Sequence, residues 1–88
     1  MQQPNDQVRQ PLSAVTATFN VATCRYELGA QGPKGASLLV ETIKVLNERV
    51  DYNGQIASVD YKSGGYVAKA VNEAAAVLGL TDWRTRFF

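Results

Sequence analysis

The chain has 88 residues, of which 45% are hydrophobic and 19% charged, so it holds one globular domain with a modest core and excludes a chain disordered throughout. Nine basic residues stand against eight acidic ones, a formal net of +1, so any hold on a polyanion must come from local placement of charge. There is no histidine and one cysteine, Cys24, which excludes a disulfide within the chain, a zinc site of Cys and His, and a Ser-His or Cys-His nucleophile pair.

Residues 1–11 are rich in Gln, Asn and Pro with little apolar content, which predicts a disordered arm ahead of a single α/β domain over 12–88. From Leu12 the apolar positions recur with period two: Val15, Ala17, Phe19 and Val21 alternate with Thr16, Thr18 and Asn20. The phase then slips, and Ala22, Cys24, Tyr26 and Leu28 hold the apolar positions, with Thr23, Arg25 and Glu27 opposite. A slip of one residue exchanges the faces of a strand, so a bulge or tight bend falls near residues 20–22, within one long bent strand or between two short ones. Cys24, inside this alternation, reads as a small core residue.

Residues 29–35 hold three glycines and a proline and form a loop. Leu39, Ile43, Leu46 and Val50 follow at helical spacing, widened by Leu38, Val40 and Val45, so the first helix has a broad apolar face with more than one neighbour. Residues 51–54 carry Asn53-Gly54 and read as a turn, and residues 55–62 as a strand with Ala57, Val59 and Tyr61 on one face. Ser63-Gly64-Gly65 opens a second helix with a stripe of Val67, Val71, Ala74 and Leu78, ended by Gly79. The tail reads two ways. As a strand it puts Trp83, Thr85 and Phe87 on one face and Arg84 and Arg86 on the other; as a helical turn it aligns Trp83 with Phe87.

The two glycine loops each carry a lysine, Lys34 and Lys62, and each leads into a helix. A helix start presents unpaired N–H groups and partial positive charge, which favours an anion such as phosphate. Lys34 is not followed directly by Ser or Thr, so the spacing of a nucleotide-hydrolysing P-loop is absent. Arg84 and Arg86, flanked by Trp83 and Phe87, form a second basic and aromatic set able to hold phosphates and stack bases. The acidic residues Glu27, Asp60 and Glu73 scatter over separate elements and read as surface charges, so no enzymatic activity is expected.

Over about residues 25–80 the order of elements resembles the Alba superfamily of small chromatin and RNA-binding proteins, especially the bacterial branch typified by stage V sporulation protein S. The likeness lies in Pro33-Lys34-Gly35-Ala36-Ser37, in Val45-Leu46-Asn47-Glu48-Arg49, and in the run from Gly65 through Tyr66, Val67, Ala68, Lys69, Ala70 and Val71 to Ala74. The resemblance implies nucleic-acid contact by Lys34 and Lys62, with Lys69 as a further contact. The family continues after its second helix into a long β-hairpin. Eight residues follow Leu80 here, and an additional N-terminal strand stands ready to fill the vacated place in the sheet.

The fold class expected is α/β, a two-layer sandwich with a small mixed sheet and two helices on one face, as in Alba and the C-terminal domain of initiation factor three. The function expected is binding of DNA or RNA with low sequence specificity, through Lys34, Lys62, Ser63, Gly64, Lys69, Arg84 and Arg86. Lys34 and Lys62 are expected on one surface of the molecule or of a dimer. A homodimer is expected to bury Trp83, Phe87 and Phe88, because three aromatics so close together are costly to leave in water. No metal or cofactor is implied. No apolar run approaches the ~18 residues of a membrane span, and no secretory signal opens the chain. A cytoplasmic protein is therefore expected, nucleoid-associated if it binds DNA. The alternative is a small protein-binding module, of the kind found as a phage or plasmid inhibitor or assembly subunit, using the aromatic tail or a sheet edge.

Overall fold

The computed structural model describes residues 12–88, and the arm expected over 1–11 lies outside them. Five strands and two helices form a two-layer α/β sandwich. The strands are β1 (Ser13–Asn20), β2 (Arg25–Gln31), β3 (Val50–Tyr52), β4 (Ala57–Asp60) and β5 (Trp83–Phe87); the helices are α1 (Gly35–Leu46) and α2 (Gly64–Leu78). The sheet order is β3-β4-β2-β1-β5, antiparallel throughout except that β5 runs parallel to β1.

The phase slip of the first strand is a reversal. Residues 21–24 form a turn between β1 and β2, in which the Asn20 carbonyl accepts from Cys24 N at 2.8 Å and the Asn20 side chain accepts from Ala22 N at 2.9 Å. Of the two forms expected, two short strands is therefore the observed one. Cys24 is not a core residue: it leaves the sheet in this turn with φ 57° and is exposed. Beyond the turn, Tyr26 and Leu28 return to the face that carries Val15, Ala17 and Phe19.

That face is the covered one. Val15, Ala17, Leu28, Ala57 and Val59 pack under Leu38 and Leu46 of α1 and Val67, Ala70, Val71, Ala74 and Ala75 of α2. The second neighbour of the broad α1 face is α2. The helices lie antiparallel: Ala36, Ser37 and Val40 sit by Leu78, while Val45 and Leu46 sit by Tyr66 and Ala70. The alanines of α2 permit this close approach. Gly79 ends α2 in the left-handed conformation at φ 70°, as its position in the sequence predicts.

Two element boundaries differ from the sequence reading. Helix α1 stops at Leu46, and Asn47 takes φ 54°, so Val50 opens β3 instead of extending the helical stripe. Strand β3 is three residues long and was legible only as part of a turn. The Asn53-Gly54 turn is present, with the Asn53 side chain accepting from Gln55 N and Ile56 N at 2.8 and 2.9 Å, but it joins β3 to β4 as a hairpin. The strand expected over 55–62 narrows to Ala57–Asp60, and Tyr61–Ser63 coil into a 3-10 turn capped by the Asp60 carboxylate. The tail is a strand, the first of its two readings.

Candidate nucleic-acid interface

The hairpin β3–β4 decides where the two glycine loops go. Because it reverses the chain before α2, β4 runs antiparallel to β2. Gly35, opening α1, packs against Ala30 and the Ala14 carbonyl, whereas Gly64, opening α2, packs against the Tyr26 ring. Ala30 and Tyr26 are four residues apart on β2, about 13 Å. Lys34 and Lys62 therefore sit at opposite ends of the sheet, and the expectation that they share one surface of the protomer is overturned.

The glycines of both loops have packing roles. A Cβ on Gly64 would meet the Tyr26 ring at 2.7 Å, and Gly32, at φ +84°, lies against the backbone of Leu12 and Ser13. At the α2 start, Asp60 Oδ1 accepts from Ser63 N at 3.0 Å, so the protein's own carboxylate already answers that helix terminus. At the α1 start, Lys34 N donates to Ser13 Oγ at 2.9 Å. Lys34 shares a shallow depression with Pro33, Leu80 and Asp82, whose carboxylate opposes an incoming anion. Lys69 lies in a groove between the helices with Arg49, Tyr66 and Glu73, where the Arg49 guanidinium stacks 3.9 Å from the Tyr66 ring centre.

The face of the sheet turned away from the helices is the remaining surface. Strand alternation puts Arg25 and Glu27 of β2, Thr16 and Thr18 of β1, Ser58 of β4, and Arg84 and Arg86 of β5 on it. Two of these charges are held by neighbours. Arg25 donates from Nε to Ser58 Oγ at 2.8 Å and from Nη2 to the Ser58 carbonyl at 3.1 Å. Glu27 Oε2 accepts from Asn20 Nδ2 at 3.0 Å.

Arg84 and Arg86 are different. Both are exposed, and neither is ion-paired with a described residue. They stand beside Ala14 and Thr16, so no long side chain of β1 competes for them. The Arg86 guanidinium lies 5.4 Å from the Phe88 ring centre, and Phe88 is 59% exposed. This corrects the sequence reading of the tail in one respect. Trp83 and Phe87 point to the helix side, and the aromatic that accompanies the arginines is Phe88, which hydrogen-bonds to β1 through both its N–H and its carbonyl.

The three tail aromatics thus divide. Trp83 is half-buried against the protein's own core, while Phe87 is 45% exposed at the rim of an edge-to-face cluster with Tyr26, Phe19 and Tyr61. The sequence reading groups Phe88 with Trp83 and Phe87 as an interface aromatic; the residue-by-residue alternation of a strand is the signal that places it with Arg84 and Arg86. The structure gathers Arg84 and Arg86 into one patch with Phe88, and leaves Lys34, Lys62 with Ser63 and Gly64, and Lys69 on separate surfaces.

Among the described residues no helix is long and apolar enough to cross a membrane, and no cluster of three metal-ligating side chains is present. Comparison with protein-family models, with curated proteins and with solved structures gave no match.

Proposed function

We propose that the protein binds nucleic acid without catalysis, as a homodimer in the cytoplasm, with nucleoid association if the ligand is DNA. The observation that carries this reading is the pair Arg84 and Arg86, exposed beside Phe88 on the face of the sheet opposite α1 and α2. Guanidinium groups bind phosphate in a fixed fork geometry, and an exposed ring stacks on any base. A sheet backed by helices holds such groups rigidly, which suits splayed single-stranded bases better than a duplex. Contact mainly to phosphates gives low sequence preference and strong salt dependence. The resemblance to the Alba superfamily supports the same class of ligand. In this reading Lys34, Lys62 and Lys69 contribute general attraction, and the arginine patch makes the close contacts.

The test is fluorescence anisotropy with labelled single-stranded RNA, single-stranded DNA and duplex DNA at two salt concentrations. The wild type binds the single strands more tightly than the duplex, more weakly at high salt, and Arg84→Gln with Arg86→Gln removes most of the binding. The second reading, a protein-binding module, rests on the exposed rings of Phe87, Phe88 and Tyr61. It takes the place of the first if wild-type anisotropy does not change with any of the three probes.

A further inference from the structure

We infer that β5 is the edge along which two copies of this chain pair, antiparallel about a two-fold axis at Thr85, and that a polyanion bound over Arg84 and Arg86 is what permits the pairing. The identity of that polyanion as nucleic acid rests on the function proposed above; the pairing itself rests on the strand.

β5 is the last strand of the sheet on its side. Phe88 N donates to the Ala17 carbonyl, Phe19 N donates to the Phe88 carbonyl, and Ser13 N donates to the Asp82 carbonyl. Even-numbered residues of β5 therefore direct their backbone groups to β1. Trp83, Thr85 and Phe87 direct theirs outward, along an edge that no described strand pairs. In an antiparallel pair centred on Thr85 these are the residues that exchange both hydrogen bonds with their opposite numbers. Thr85 then faces the Thr85 of the second copy, and Trp83 faces its Phe87.

On the helix side this register joins what the protomer leaves unfinished. Thr85 Oγ1 is buried and finds no hydrogen-bond partner among the described residues, which is uncommon for a hydroxyl. A turn of χ1 to the edge-facing staggered well brings it to the hydroxyl of its counterpart, a favourable cross-strand pair. Phe87, exposed in the protomer, gains the Trp83 ring of the second copy as an aromatic neighbour.

On the open side the same register sets Arg84 directly against the second copy's Arg86, at positions where side chains come closest. Like charges so placed oppose the pairing. The free protein is therefore monomeric at low salt. A polyanion lying across the seam neutralises both arginine pairs and spans the two copies, turning repulsion into a shared site.

Sedimentation velocity of the purified protein, alone and with a single-stranded oligothymidylate, tests this at low salt. The wild type sediments as a monomer alone and as two chains per oligonucleotide with it. Arg84→Gln with Arg86→Gln sediments as a dimer without oligonucleotide. Thr85→Pro, which removes an outward N–H and leaves the bonds to β1 intact, stays monomeric throughout; Thr85→Glu, with two carboxylates meeting at the axis, replaces it if the proline variant fails to fold. A dimeric wild type unaffected by Thr85→Pro, or a monomeric arginine-free variant, overturns the interface. If the wild type does not bind the oligonucleotide while the arginine-free variant dimerises, the edge pairing stands and the nucleic-acid reading falls.

Discussion

Gly64 and Gly65 are neighbours in sequence with opposite structural roles. Gly64 is in the right-handed helical region, yet a Cβ there would strike the Tyr26 ring, itself held edge-on by Phe19 and Phe87. Gly65 has open space around it. Gly64→Ala is therefore expected to destabilise the domain by about 1–3 kcal/mol through overpacking, and Gly65→Ala to stabilise it by about 0.5–1 kcal/mol through helix propensity. Urea denaturation of the two variants checks both signs. Thr85 offers a further residue-level test. Removing a buried hydroxyl that lacks a partner relieves its desolvation cost, so Thr85→Val is expected to raise protomer stability by about 1 kcal/mol in the same assay. Leu38 is fully buried under both layers, and Leu38→Ala is expected to cost about 2–5 kcal/mol.

At the level of elements, most of the sheet and both helices were legible in the sequence because their apolar periods are long and clean. Val15, Ala17 and Phe19 alternate for a whole strand, and Val67, Val71, Ala74 and Leu78 keep helical spacing to the Gly79 stop. Strand β3 was not legible. Asp51 and Tyr52 are exposed, and three residues carry too little alternation to separate a strand from the turn beside it. That short strand reverses the polarity of everything after it, so the Lys62 loop moves to the far end of the sheet from Lys34. The same limitation applies to the site. Glycine beside lysine has one spelling whether the glycine cradles a ligand or admits a neighbouring ring, and only the packing of Tyr26 on Gly64 distinguishes the two. Lys34→Glu and Lys62→Glu are expected to change stability by no more than about ±0.5 kcal/mol. Any effects they have on oligonucleotide binding should add independently, since the two sites share no neighbour. A double variant that weakens anisotropy by more than the product of the two single effects would restore a common track.

Across the whole molecule, near-neutral charge and a basic patch are compatible because several of the acids are held by neighbours. Glu27 is tied to Asn20, Asp60 caps the turn before α2, and Glu41 pairs with Lys44 at 3.2 Å. On the sheet face opposite α1 and α2, Arg84 and Arg86 stand with Phe88 beside them and no ion-pair partner among the described residues, while the exposed Asp51 lies at the other edge of the sheet, on β3. Each phosphate contact on a single strand contributes a slope of about −0.7 to log K against log salt, so replacing both arginines with glutamine should flatten that slope by about 1.4. The most direct measurement is an amide chemical-shift titration of the protein with a short single-stranded oligonucleotide. The largest shifts are expected on Arg84, Arg86 and Phe88 and on Thr16 and Thr18 beside them. Shifts confined to Gly64–Lys69 and the Lys34 loop, with β5 unmoved, would contradict a binding site on β5.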